Sequence, residues 1–229
     1  MSVVKLSKET LDILKNYATI NTNILIKEGN AISTMAINKS ILAEAKGLKD
    51  EFPSEFPVYN LVELLSVISL FKEPALDFNG KLLTVQEASG KGMKIKYMAS
   101  SKEILVYPQK DVKEPKYEVD IEFTSELLEN LMKSAAVING PDIQVVGDAT
   151  GIVVKATDKK VPTSNDVIIE ISDEPQDTNF TFNFRTENIK LIPGNYNLKI
   201  SSKLLSKFTN TDKDGLVWFV PCESDSVYG

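Results

Sequence analysis

The chain has 229 residues with 26 basic and 32 acidic side chains, a formal net charge of −6, and 42% hydrophobic residues. That is the balance of a globular chain long enough for two small domains or one large one, and it excludes a disordered polymer. Histidine is absent and Cys222 is the single cysteine, which excludes internal disulfides, Ser-His and Cys-His nucleophiles, and most zinc sites.

In chain order, Ser7 supplies an N-cap and the spacing predicts an amphipathic helix from about Lys8 to Thr19. Thr10, Leu11, Ile13, Leu14, Tyr17 and Ala18 fall on one broad face, and Lys8, Asp12, Lys15 and Thr19 on the other. A hairpin is expected around Glu28-Gly29-Asn30, with a third strand from Ile41. A second helix is predicted over Asn60 to Phe71, with Leu61, Leu64, Leu65, Ile68 and Phe71 as its core stripe. Short strands follow at Ala75–Phe78, Leu82–Gln86, Met93–Met98 and Glu103–Tyr107. The polar stretch Pro108–Pro115, bracketed by prolines, reads as a linker.

Beyond it, Ser125 is expected to cap a helix to about Val137, and a hairpin should turn at Gly147–Gly151. A strand over Asp166–Ser172, a short helix over Thr186–Leu191, and strands at Asn195–Ile200, Ser206–Thr209 and Leu216–Val220 complete the chain. The two halves are related. LSKETLDILKNYATIN at 6–21 and TSELLENLMKSAAVIN at 124–139 align without a gap and share Ser7/Ser125, Lys15/Lys133, Ala18/Ala136, Ile20/Ile138 and Asn21/Asn139. Average residue usage gives about one such match. The expected fold is α+β, with two similar domains of antiparallel sheet and two helices each, spanning 1–107 and 119–229 around a linker at 108–118.

No chemistry stands out. Ser89-Gly90-Lys91-Gly92 hints at a phosphate loop, but Val85 stands where the Walker pattern needs glycine. Acidic pairs such as Asp50-Glu51 and Asp173-Glu174 read as solvated loops, so neither a metal nor another cofactor is expected. Lys8, Lys15 and Lys133 lie opposite the apolar stripes. An ordinary solvated helix face explains them, and so does contact with phosphates, to which long lysines bring affinity without base readout. The acidic balance argues against a uniformly basic nucleic-acid binder, not against lysines gathered on one surface. No apolar run reaches the ~20 residues that cross a bilayer, and MSVVKLSKET lacks the apolar core of a signal peptide. With its lone cysteine, the chain is expected in a reducing cytosol, with no membrane partner.

The opening LSKETLDILKNYATIN, Tyr59-Asn60-Leu61 leading into an apolar helix, PGNYNL at 193–198 and the tail Glu223-Ser224-Asp225-Ser226 resemble the sliding clamps, or DNA polymerase processivity factors, of T-even-type bacteriophages. The resemblance implies the DNA clamp fold and a homotrimeric ring with helices lining a hole around duplex DNA. It also implies sequence-independent DNA contact, tethering of the replicative DNA polymerase, opening by an ATP-driven clamp loader, and the cytoplasm of an infected bacterial host. No catalysis by the chain itself is implied. On this reading Lys5, Lys8, Lys15 and Lys133, with Arg185 and Lys190, become the DNA-facing candidates. The strands Glu103, Ile104, Leu105, Val106, Tyr107 and Val167, Ile168, Ile169, Glu170, Ile171 become candidates for pairing between subunits. Val112, Val220, Pro221 and Cys222 become a candidate pocket for a polymerase peptide; nothing marks Cys222 as a reactive thiol. The competing readings are a phage structural or assembly protein built from duplicated α+β domains and, less favoured, a hydrolase working through carboxylates.

Overall fold

A computed structural model describes residues 2–229, which divide into two compact units. One takes the residues up to Asp111 with Asp214–Leu216, and the other Val112–Lys213 with Val217–Gly229. Among the described residues no helix is long and apolar enough to cross a membrane.

The first unit opens with β1 (Ser2–Lys5) and α1 (Lys8–Ile20). The Ser7 hydroxyl oxygen accepts from the Thr10 N–H at 3.2 Å, and the Ser7 N–H and O–H both donate to the Asp50 carboxylate at 2.8 Å. The start of the helix is thereby fixed from two sides. Its apolar stripe, Ile13, Leu14 and Tyr17, is buried, which stabilises the unit by ~1.5–3 kcal/mol for each large apolar side chain. Next come β2 (Ile24–Ile26), β3 (Ile32–Met35), β4 (Leu42–Ala45), β5 (Phe56–Val58), α2 (Leu61–Ile68), β6 (Pro74–Asn79), β7 (Leu82–Glu87) and β8 (Lys94–Met98). The strands β1-β6-β7-β8 form one antiparallel sheet in that order, while β3 pairs with β4 and β2 with β5. Edge-to-face contacts of Phe78 with Phe52 and Phe56, ring centroids 6.2 and 5.7 Å apart, fill the space beneath the sheet.

The second unit repeats the order with β9 (Val119–Phe123), α3 (Ser125–Ile138), β10 (Asp142–Asp148), β11 (Gly151–Thr157), β12 (Val167–Ser172), β13 (Phe180–Arg185), β14 (Tyr196–Ser201), β15 (Leu205–Asn210), β16 (Leu216–Pro221) and β17 (Val227–Tyr228). Here β9-β14-β15-β16 run in the same order as β1-β6-β7-β8, and β12-β11-β10-β13-β17 form the second sheet. Trp218 and Tyr196, both fully buried, meet edge-to-face at 5.8 Å.

Several expectations are corrected. β2 and β3 do not form a hairpin: Gly29 exchanges backbone hydrogen bonds with Phe52 at 2.9 and 2.7 Å, drawing the loop away, and each strand finds another partner. Glu103–Tyr107 is not a strand. Lys102–Ile104 form a 3-10 turn, and the Val106 N–H and C=O are taken by the Asn23 and Asn21 side chains, each at 3.0 Å. α2 stops at Ile68, where Leu70 and Phe71 revert to tighter i→i+3 bonds. Thr186–Leu191 yields only a 3-10 turn, Thr186–Asn188, because Thr186 bonds back to Gly140 and Pro141 at 2.9 Å and a segment this short gains little from helical bonds of its own. The cap of α3 is Thr124, one residue earlier than expected; Ser125 instead donates its N–H to Asn195 at 2.8 Å. The strands β1, β5, β9, β13 and β17 had no counterpart in the sequence reading.

The repeat also ends asymmetrically. Asn21 leaves α1 in an extended conformation, whereas Asn139 leaves α3 left-handed at φ 53° and lets Gly140 close the helix end onto Ala135 at 2.8 Å. Gly147 lies opposite Phe180, and a Cβ there would stand 2.2 Å from the buried ring. Gly147→Ala should therefore destabilise the protein by about 1–3 kcal/mol, read as a lower denaturation midpoint in urea.

Candidate nucleic-acid interface

Each long helix lays its apolar stripe on its own unit, so the direction of its polar face is fixed. On α1 that face carries Lys8 and Lys15, both exposed, with Lys15 3.6 Å from Asp12. On α3 it carries Lys133, which pairs with Glu129 one turn earlier, along with Glu126, Asn130, Ala136 and the strongly exposed Val137. Duplication thus preserves one lysine per helix, but each already has an acidic neighbour on its own helix. Exposed pairs of this kind contribute little and exchange readily for an incoming phosphate. Lys5, at the end of β1, pairs with Glu73 at 3.1 Å. Neither face is positive enough to hold a duplex by charge alone.

Arg185 has a different task. Its guanidinium lies 3.0 Å from the carboxylate of Asp142, which is fully buried. Lys159 approaches the same carboxylate at 3.9 Å and reaches Asp225 at 2.8 Å. The hydrogen bond from Lys159 holds the Asp225 carboxyl below the usual carboxylate range. Asn183 adds bonds to Asp225 and Ser226, so the network ties the tail to β13. Lys190 is half-buried beyond the 3-10 turn. Of the six cationic candidates, Lys8, Lys15 and Lys133 alone lie on the exposed faces of the long helices.

The candidate partner residues divide by burial. Val220 and Cys222 lie in the core, Val112 is half-buried, and Pro221 is exposed at the end of β16. Burial pushes the Cys222 thiol up to about 12. Beside the linker, the first unit has a cavity of about 280 Å³ lined by Leu25, Ile32 and Pro108 at its apolar end, and by Lys27, Glu44 and Lys46 at its charged end. The sequence reading missed these residues, because they come from three separate segments. Further along the linker, Glu114 accepts from Lys207 at 2.7 Å, and the same ammonium stands 5.8 Å over the Phe219 ring.

The sheet edges are unequal. On β1, β3 and β9 the inward apolar side chains are buried, for example Val4, Ile32 and Ile121. β8 and β12 are also edges, yet Ile95 and Tyr97 of the first and Val167, Ile169 and Ile171 of the second are only half-covered, while Met98 and Ile168 stand exposed at 65% and 56%. The half-covered edge in the first unit is therefore β8, not the expected strand at Glu103–Tyr107, whereas Val167, Ile168, Ile169, Glu170 and Ile171 do occupy an edge.

Two measurements test these assignments. Arg185→Leu leaves a buried carboxylate short of a partner and should cost about 3 kcal/mol of stability by thermal unfolding, whereas Lys190→Ala should cost little. Cys222 should react with a thiol reagent at pH 8 only after denaturation, as followed by mass shift.

A family model described as DNA polymerase processivity factor matches residues 7–112. The sliding clamp of Vibrio phage KVP40 is 30% identical over 96% of this chain and 100% of its own length, and that of Enterobacteria phage T4 is 26% identical over 98% and 99%. Among solved structures, A. fulgidus PCNA, bound to the C-terminal region of FEN-1, superposes with a TM-score of 0.74 at 10% identity, covering 99% of this chain and 100% of that one. The fold is that of the clamps, and the sequence similarity runs from end to end: the chain belongs to the family of sliding clamps, the DNA polymerase processivity factors.

Proposed function

We propose that three copies of this chain close head-to-tail into a ring around duplex DNA and hold the replicative DNA polymerase on its template without carrying out chemistry. The observation that carries the ring is the pair of half-covered edges, β8 and β12, one in each unit. Unpaired backbone groups beside half-covered apolar side chains call for a further strand. Because the two edges are different surfaces, copies would join heterologously, the arrangement that closes into rings.

Within the ring, Lys8 and Lys15 of α1 and Lys133 of α3 are the groups best suited to touch phosphates, with Lys5 at the margin. Since these faces carry as many carboxylates as lysines, DNA is retained by encirclement, and the charged contacts only lubricate it. The acidic remainder of the surface disfavours duplex outside the hole. The cavity beside the linker, with Leu25, Ile32 and Pro108 at its apolar end, suits a short apolar-and-charged segment of the polymerase, and Pro221 is the accessible member of the C-terminal group. A closed ring needs an opener, an ATP-driven loader, and the phage origin of the relatives supports action in the cytoplasm of an infected bacterium.

Protein assembled on DNA by its loader should remain on closed circles and slip from linear molecules with free ends. Equal retention on both would overturn encirclement. Lys15→Glu combined with Lys133→Glu should reduce loading and processive synthesis by about tenfold while leaving the trimer mass in light scattering unchanged.

A further inference from the structure

We propose that β8 of one copy adds antiparallel to β12 of the next in a single register, with Lys96 opposite Glu170, Tyr97 opposite Ile169 and Met98 opposite Ile168. The inference rests on the ring reading and names the residues that set its specificity.

Alternation limits the choices. Along β8, Ile95 and Tyr97 turn toward their own core, while Lys94, Lys96 and Met98 face outward. Along β12, Val167 and Ile169 turn inward, and Ile168 and Glu170 outward. The ladder to β11 is irregular between Ile152 and Val153, which pair with Ser172 and Glu170, so regular alternation on β12 ends at Glu170. A slip of one residue would set inward rows against outward ones, leaving slips of two. One such slip sets Met98 against Glu170. The other sets Lys96 against Ile168 and Met98 against Asp166, whose carboxylate is already engaged by Thr157. A parallel arrangement that keeps Lys96 with Glu170 sets Lys94 against Ile168 and Met98 against Ser172. A parallel arrangement that sets Met98 against Ile168 brings Lys96 to Asp166, which lies outside β12 and is engaged by Thr157. Among these arrangements the proposed register is the one in which an uncommitted charge on each strand meets its opposite while both exposed apolar side chains meet each other, the pairings that stabilise neighbouring strands.

The charges are available for this purpose. Among the described residues, neither Lys96 nor Glu170 forms an ion pair or side-chain hydrogen bond, unlike Lys5, Lys15, Lys102, Lys133, Lys159, Lys199 and Lys207. Tyr97 is held by its hydroxyl, which donates to the Asn60 carbonyl at 3.1 Å, leaving the ring flank to meet Ile169.

The test is a charge swap read by sedimentation equilibrium. Lys96→Glu and Glu170→Lys, taken singly, should each weaken trimer association by roughly tenfold, and the double variant should recover most of the loss. Thermal melting of each variant checks that the units remain folded. As a second readout, Met98→Cys with Ile168→Cys should give disulfide-linked trimers under mild oxidation, whereas Met98→Cys with Glu170→Cys should not. A wild-type protein that sediments only as a monomer would overturn the ring reading itself. A wild-type trimer that ignores the single charge reversals, gains nothing from the double one, or cross-links in the slipped pair would overturn the register and leave the ring standing.

Discussion

The anchoring of one amphipathic helix in each unit is the constraint on which the remaining geometry depends. Ile13, Leu14 and Tyr17 in α1, and Leu128, Leu131 and Ala135 in α3, are buried against their own units. A helix fixed on one side cannot turn, so its other side is fixed as well. That is why Lys15 and Lys133 are presented in the same way although their surroundings differ. It is also why a solvent-facing lysine pair, unremarkable in isolation, acquires meaning from being repeated. The caps serve the same end: Ser7 is held by Asp50 from a distant loop, and Ser125 by Asn195, so each helix start is tied to its unit through side chains far away in sequence.

The long elements were legible in the sequence because their burial is periodic. The first helix, the hairpin of β10 and β11 and the strands β6, β7, β14, β15 and β16 are all places where the local pattern and the tertiary environment agree. Misreadings occurred where distant groups took over the backbone. Asn21 and Asn23 claim Val106, Phe52 claims Gly29, and Thr186 turns back to Gly140, and none of these is visible in a local window. β13 went unread although Phe180, Phe182 and Phe184 alternate with Thr181 and Asn183, the period-two signal of a strand; what a local window hides there is the burial of Asn183 in the tail network.

Arg185 shows a second limit of sequence reading. An arginine near a lysine beside a helix candidate looks like part of a cationic surface. The structure instead places opposite it a carboxylate with no access to water. The attraction between these two groups, which offsets the desolvation of Asp142, depends on a contact across 43 residues of chain. Composition gives the number of charges but not which of them are committed to the interior.

The difference between the two edges has a further consequence. A strand that carries lysines outward repels a copy of itself, and one that ends in a glutamate and a break in its ladder is a poor template for its own kind. In the proposed assembly each edge accepts the other and rejects itself, so growth has a direction, as between a bolt and a nut. Such parts either meet around a circle or continue as an open helical filament, and the turn per copy decides which. The proposed ring therefore has a built-in failure mode. A change far from either edge that altered the turn between successive copies would not abolish assembly; it would leave the edges sound and convert a closed object into a fibre.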